Sequence, residues 1–315
     1  MISVVIPLYN KASTIAAAVG SVQAQTCRDW RLIVVDDGSR DGGAAWVEAA
    51  AANDPRITLV RQSNAGVSVA RNRGVAQADT ELVAFLDADD QWLPDHLSQL
   101  MSLHAWQPDA PLWAAAYRLV DDVGGDRVVH TRVDAPEGRY LIEDYFSESV
   151  NVEFPVHSSA VMVSKAALQG IGGFPPGVGS GEDLLTWARL SCLGDIPFGT
   201  RATAVYMAPP VSPDVRASVV RRPVSPDVVA QCLLQLAAQH PQKANSIDLF
   251  LGLWWRIRAM AYLELNQRVA SLLSLRDAVR VSGLRTRDLV CMALCVLPHG
   301  VRTQVLAHGR GHRRA

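Results

Sequence analysis

The residues best suited to chemistry are Asp87, Asp89 and Asp90, three carboxylates within four positions, placed where the apolar run Leu82-Val83-Ala84-Phe85-Leu86 stops. Crowded carboxylates repel one another unless a cation lies between them. A hard divalent ion takes oxygen ligands and often bridges one or two carboxylates to substrate phosphates. A second acidic pair, Asp36-Asp37, closes the apolar run Trp30 to Val35 and leads into Gly38-Ser39. A third, Glu182-Asp183, follows Gly179-Ser180-Gly181 and opens a helical pattern. Each has a structural reading beside the chemical one. Asp90 suits the cap of a helix that has Pro94 just inside it. Acids in the first turn of a helix also favour its dipole, by under about 1 kcal/mol at an exposed end.

Short apolar runs at Ile2–Pro7, Trp30–Val35, Ile57–Val60 and Leu82–Leu86 alternate with helical patterns over about 14–25, 43–52 and around Ala70-Arg71-Asn72-Arg73-Gly74. Such alternation predicts an α/β chain, with a mostly parallel central sheet flanked by helices and right-handed crossovers. Unbroken apolar runs fit strands buried on both faces. Parallel strands share a direction, so the acids after the second and fourth runs fall on one rim. That is the rim on which open α/β sheets bind ligands. Arg71 and Arg73 follow the third run there and could pair with phosphate; a solvated helix face is their other reading. The first turn lacks G-x-G-x-x-G, which counts against a dehydrogenase.

Beyond Trp106 the pattern changes. Leu112–Val120 and Arg127–Val133 flank a turn-rich stretch and read as a hairpin. Loop and a short helix are expected over Thr131–Ser149, a strand over Ser158–Val163 and a short helix near Lys165–Gln169. Gly170 to Pro176 reads as a glycine- and proline-rich surface loop, and Leu184–Leu193 as a helix.

The chain has 315 residues, enough for one large α/β domain or two smaller ones, and 49% are apolar, enough for a sizeable core. A formal charge of −1 argues against a nucleic-acid binder. The five cysteines form no zinc spacing and no CxxC pair, which fits a reducing compartment. No basic segment precedes an apolar stretch at the start, and no apolar run reaches the roughly 18 residues of a spanning helix, so the expected location is cytoplasmic.

Taken together, the motifs resemble those of family 2 glycosyltransferases of the GT-A fold. The residues that carry the likeness are Val4-Val5-Ile6-Pro7-Leu8-Tyr9-Asn10, Val35-Asp36-Asp37-Gly38-Ser39, Asn64-Ala65-Gly66 with Ala70-Arg71-Asn72-Arg73-Gly74, and Phe85-Leu86-Asp87-Ala88-Asp89-Asp90. Gly172-Gly173-Phe174 and Glu182-Asp183 through Trp187-Ala188-Arg189-Leu190 complete the set. The resemblance implies a catalytic domain over 1–208. Beyond it, the stretch 209–227, rich in Pro, Ser, Val and Arg, reads as a linker, and 228–315 as a helical C-terminal region with a basic tail, with apolar residues at helical spacing over 228–239 and 248–275. The resemblance also implies Mg2+ or Mn2+ held by Asp89 directly, with Asp87 facing the ribose or the metal shell. Asp37 and Tyr9 would contact the base with Pro7 beside them, Asn64 and Arg71 would neighbour the nucleotide, and Asp183 would be the general base with Glu182 next to it. The donor would be a nucleotide-diphosphate sugar, a UDP-sugar as first expectation. The acceptor would be a glycan or lipid-linked hydroxyl in surface-polysaccharide or glycolipid assembly. Many members carry a histidine after the last core strand; here Tyr206-Met207-Ala208-Pro209-Pro210 has none, and His157 is the substitute to consider.

Two other functions fit parts of the pattern. A nucleotidyltransferase also uses an α/β sheet with metal carboxylates, but needs no acidic pair on a far loop. A non-catalytic sugar-nucleotide-binding module would recruit a partner through the C-terminal region. After Asp248 that region has eleven arginines against three acids, with the apolar stretch Leu289–Leu297 among them. It reads either as helices packed on a core with a solvated basic tail including Arg313 and Arg314, or as a peripheral contact with the inner face of the cell membrane.

Overall fold

A computed structural model describes residues 1–121, 124–129, 138–151, 154–208, 222–298 and 300–302. The chain divides into two compact units. One comprises Met1–Val120 and Asp126–Met207, the other Asp121–Gly125 and Ala208–Ala315.

The first unit is built on one sheet. Its opening half alternates β1 (Ile2–Leu8), α1 (Ile15–Gln23), β2 (Trp30–Asp36), α2 (Gly43–Asn53), β3 (Ile57–Arg61), α3 (Val67–Gln77) and β4 (Leu82–Phe85). A two-residue strand β5 (Gln91–Trp92) and helix α4 (His96–Trp106) follow. Then come β6 (Leu112–Val120), β7 (Asp126–Val129), β8 (Arg139–Ile142), α5 (Tyr145–Asn151), β9 (Val161–Ser164), α6 (Lys165–Gly170), α7 (Glu182–Leu190) and β10 (Ile196–Met207). The strands lie in the order β3-β2-β1-β4-β9-β6-β10-β5, with β7 on β6 and β8 on β10.

The expected parallel sheet is present in β3-β2-β1-β4, whose three pairings are all parallel. Beyond β4 the sheet is mixed: β9 runs antiparallel to both β4 and β6, while β6 and β10 are parallel. The chain enters β9 through a 3-10 turn, Ser158–Ala160, at the carboxyl end of β4, so it can only run back along it, pairing Phe85 with Val161 and Leu82 with Ser164. The hairpin read from the sequence is β6 with β7. Asp90 caps no helix; β5 intervenes, and Asp95 stands at the start of α4.

Continuous apolar strands give a sheet covered on both faces. Val4, Val5, Ile6 and Leu8 of β1 are fully buried, as are Val83, Ala84 and Phe85 of β4. Helix α3 crosses β1 so closely that a Cβ on Gly74 would lie 2.4 Å from Val5 Cγ1. Glycine is therefore required at position 74 by contact, at the usual helical cost of an interior glycine.

In the second unit the described helices are α8 (Val228–Gln239), α9 (Ala244–Glu264), α10 (Arg268–Ser282) and α11 (Thr286–Val296). The helical run expected over 248–275 is two helices. Asn266 adopts φ 59°, and the Asn266 and Gln267 amides return to the Leu263 and Tyr262 carbonyls. Asparagine tolerates this left-handed position, which ends the helix in a Schellman turn. Arg256 forms a two-pronged pair with the buried Asp288, Nε–Oδ1 and Nη2–Oδ2 both at 2.7 Å. Much of the expected linker (209–221), parts of the hairpin region (Asp122, Val123 and residues 130–137), residues 152–153 and the tail from 303, with Arg313 and Arg314, lie outside the described residues.

Gly74→Ala is expected to lower unfolding stability by about 1–3 kcal/mol, the usual cost of overpacking a close contact. Urea denaturation measures it; an unchanged midpoint would mean that α3 and β1 are not in this contact.

Candidate active site

The acids that stood out in the sequence meet on the rim formed by the carboxyl ends of β1, β2 and β4. The register aligns Leu8 with Asp36 across β1 and β2, and Val5 with Phe85 across β1 and β4. The turns after these three strands therefore share one edge.

Each of the three carboxylates after β4 has a different partner. Asp87 accepts from Arg71 Nη2 at 2.7 Å. Asp89 accepts from Lys11 Nζ at 2.5 Å. Asp90 is buried, and accepts from the Ser159 hydroxyl at 2.5 Å and from the Met207 amide at 3.0 Å. The same Ser159 oxygen accepts from the Asp87 amide at 3.0 Å, and the Ser159 carbonyl takes the Trp92 indole N–H at 2.6 Å. Burial, helped by the Asp87 charge, pushes the Asp90 carboxyl well above the usual carboxylate range. Asp90 thus ties the turn to β9 and β10, while Asp87 and Asp89 remain partly open to solvent.

Arg71, on α3, is 3% exposed and lies between two acids, with Nη1 3.5 Å from Glu182 Oε1 on α7. Burial opposes its charge, but Asp87, Glu182 and Asp183 outweigh burial and hold the guanidinium above its usual range. Arg73, two residues on, is exposed. Phe174 packs beneath Arg71, its ring 5.2 Å from the guanidinium carbon, and stacks edge-on with Phe85 and Trp187 at 5.1 and 5.5 Å. The Gly170–Pro176 stretch is therefore anchored in the core at Phe174, not carried wholly on the surface. Asn72 fixes the anchor, giving a hydrogen bond to the Phe174 carbonyl at 2.7 Å and accepting one from its amide at 2.8 Å. Gly173 has φ 73°, and a Cβ there would come within 2.6 Å of Asn72 Oδ1, so only glycine fits.

Glu182 and Asp183 begin α7, after Gly181 in the left-handed region at φ 81°. Glu182 is buried; Asp183 is half-buried and accepts from the Leu184 amide at 2.8 Å. Asp183 is the next residue along α7 from Glu182, whose carboxylate faces Arg71 and through it Asp87. His157 is sandwiched between Tyr117 and Tyr206, with ring centroids at 4.9 and 4.5 Å. Its Nδ1 accepts from the Ser159 amide at 3.1 Å, and burial pushes its pKa down.

Asp37 is buried and organises the loop after β3. Its carboxylate accepts from Gln62 Nε2 and from the Ala65 and Gly66 amides, all at 2.8 Å, and from Asn64 Nδ2 at 3.3 Å. Tyr9, by contrast, is 47% exposed at the tip of β1, and Pro7 is half-buried beside it. Asp87 and Asp89, on one turn, both keep part of their carboxylates open to solvent, oxygen donors of the kind a hard divalent ion takes. Among the described residues no three His, Cys, Asp or Glu side chains gather to hold an ion unaided. The set fits an ion that takes its remaining ligands from a diphosphate. Lys11 and Ser159 have no site role in the sequence at all, and Asn72 falls within a motif of the sequence but has no assigned role there. Their partners lie 78, 69 and 102 residues away, beyond the reach of any local pattern.

The fold is that of GT-A glycosyltransferases. Staphylococcus aureus TarS 1-349 superposes with a TM-score of 0.66 at 20% identity, over 93% of this chain and 89% of that one. The mannosyltransferase PcManGT of Pyrobaculum calidifontis, solved with GDP-Man and Mn2+, gives 0.55 at 20% identity, over 98% and 79%. The family description Glycosyl transferase family 2 matches residues 3–167, just over half of the chain, which belongs to that family. Among relatives, the succinoglycan biosynthesis protein ExoW of Rhizobium meliloti is 45% identical over 100 residues, 30% of this chain and 31% of that protein. The uncharacterized glycosyltransferase YibD of Escherichia coli is 40% identical over 102 residues, 32% of this chain and 30% of that protein. Those matches thus span about a third of each relative's length. The putative teichuronic acid biosynthesis glycosyltransferase TuaG of Bacillus subtilis is 29% identical over 202 residues, 63% of this chain and 75% of that protein.

Arg71→Met leaves Glu182 and Asp87 without their shared cation. Breaking a buried pair by removing one partner costs about 3–5 kcal/mol, and chemical denaturation at neutral pH is expected to record a loss of that size. Stability within about 0.5 kcal/mol of wild type would contradict the pairing.

Proposed function

We propose that the chain is a metal-dependent, inverting glycosyltransferase that moves one sugar from a nucleotide-diphosphate sugar to an acceptor hydroxyl in surface-glycan assembly. One observation carries the reading: Arg71 ties Asp87, at the end of β4, to Glu182, at the start of the helix that presents Asp183. Ion ligands and a candidate base thereby share one rigid frame. Succinoglycan and teichuronic acid, in the names of ExoW and TuaG, support a surface-polysaccharide setting. TarS solved with UDP-GlcNAc and PcManGT solved with GDP-Man and Mn2+ support a nucleotide-sugar donor with a divalent ion. A UDP-sugar remains the first expectation.

In this reading Asp89 and Asp87 would hold Mg2+ or Mn2+, which would offset charge growing on the leaving diphosphate. Tyr9 and Pro7 line the base side. Asp37 and Asn64 act there by shaping the loop that closes it, since the Asp37 oxygens are engaged with that loop. Arg71 acts through Asp87, being too buried to meet solvent. Asp183 takes the proton from the acceptor hydroxyl as its oxygen attacks the anomeric carbon. The bond from that carbon to the diphosphate oxygen breaks on the opposite face, and the nucleoside diphosphate leaves. A helix N-terminus favours the ionised carboxylate the base needs. Glu182, facing Arg71, is a support and not a second base.

Asp183→Asn is expected to leave donor affinity near wild type and to lower transfer by roughly 10²–10⁴-fold, the span of a general base. Transfer at the wild-type rate would remove Asp183 from the mechanism.

A peripheral membrane contact is favoured by the second unit's surface. Val269, Leu272 and Leu273 of α10 are exposed at helical spacing with Arg276 and Arg280, and α11 exposes Leu289, Val290 and Val296. Among the described residues no helix is long and apolar enough to cross a membrane. Apolar side chains flanked by arginines suit the interface of an anionic bilayer. The protein is expected to float with phosphatidylglycerol vesicles and to detach as salt rises, with Val290→Glu weakening the binding. Flotation equal for Val290→Glu and wild type, or none at all, would contradict this contact.

A further inference from the structure

Lys11 lies outside every motif that links the chain to its family, yet its ammonium sits on the carboxylate read here as the ion's ligand. Its backbone is fixed on both sides. Asn10 before it holds φ 50°, accepts from the Arg40 amide at 2.8 Å and donates its own amide to Ser39 Oγ at 3.1 Å. The Lys11 carbonyl accepts the Thr14 and Ile15 amides at 3.1 and 3.0 Å, starting α1. β1 lies next to β4, so a residue just past β1 can reach the turn after β4. The Lys11–Asp89 contact measures 2.5 Å, with the two side chains 43% and 37% exposed.

An exposed ion pair of this kind contributes little to stability. Its consequence is exclusion. Asp87 already has Arg71 and Asp90 is buried, so Asp89 is the open end of the acidic turn. A divalent ion arriving there meets a positive charge on the same carboxylate. A diphosphate brings negative charge that can take both cations.

We propose that Lys11 is a tethered counter-cation. It occupies Asp89 while the site lacks donor and moves to the diphosphate when donor and ion arrive, so that the ion binds well only together with a nucleoside diphosphate. The inference rests on the reading of Asp89 as an ion ligand. The side chain is long, unbranched and 43% exposed, so its ammonium can leave the carboxylate without any change in the backbone. Lysine suits this as a mobile point charge, where arginine would hold a fixed fork.

The test is Mn2+ binding followed by the electron paramagnetic resonance signal of the free ion, with and without UDP, and with GDP in parallel. Wild type, Lys11→Met, Lys11→Gln and Asp89→Asn are compared. Wild type is expected to bind Mn2+ weakly alone and tightly with a nucleoside diphosphate. Both Lys11 variants are expected to bind Mn2+ alone roughly tenfold or more tightly than wild type, from the removed repulsion, and to gain less from the nucleotide. Asp89→Asn is expected to lose Mn2+ binding in both conditions. Lys11 variants with wild-type Mn2+ affinity and a wild-type gain from nucleotide would overturn the counter-cation while leaving the ion site in place. Unchanged Mn2+ binding by Asp89→Asn would overturn the ion site itself, and the role of Lys11 with it.

Discussion

Three carboxylates at one strand end cannot stand together without partners, and the first unit supplies a separate one for each. Arg71 comes from the helix after β3, Lys11 from the turn after β1, Ser159 from the 3-10 turn that leads into β9, and the Met207 amide from the end of β10. Like charges a few ångströms apart repel by about 1 kcal/mol in water and several times that in partly buried surroundings. The strand order answers this constraint. With β1 and β9 on either side of β4, the acidic turn is flanked by a lysine on one side and a serine hydroxyl on the other.

Arg71 carries the constraint further into the structure. Its burial is tolerable only because Asp87 and Glu182 both face it, and their pairing draws the start of α7 to the end of β4. The aromatic group of Phe85, Phe174 and Trp187 forms the floor beneath the guanidinium, and Asn72 fixes Phe174 from the neighbouring position on α3. The result is that the helix carrying Glu182 and Asp183 has its position set by packing and charge together. The same economy appears at Asp37, whose carboxylate holds four hydrogen-bond donors and so builds the wall of the rim.

The strands, the acidic turn and the start of α7 were legible because their signals are local: apolar runs, clustered acids and glycine before a helix. The fold of the second half was less so. Nothing in Ser158–Val163 by itself says that it runs back along β4, since parallel and antiparallel strands share one pattern; only the position of its entry turn decides. The break at Asn266 went unread because a lone asparagine in a periodic apolar pattern is a weak stop signal, and its two returning hydrogen bonds are what make it one. A helix cap is the local alternative that Asp90 offers ahead of a proline-bearing helix; its burial and its contact with Met207 depend on a strand 117 residues away. Asp37 drew attention as an acid at a strand end, but its loop-building contacts follow from the path of residues 62–66 around it.

The most direct test of the site as a divalent-ion and sugar-nucleotide centre is a thermal-shift series with UDP-, GDP-, dTDP- and CDP-sugars, each with Mn2+ and with a chelator. A ligand that binds only the folded chain raises the melting temperature by mass action. The account predicts that at least one sugar nucleotide raises it with Mn2+ and that the chelator abolishes the rise. A flat response to every sugar nucleotide, or a rise that the chelator leaves unchanged, would contradict it.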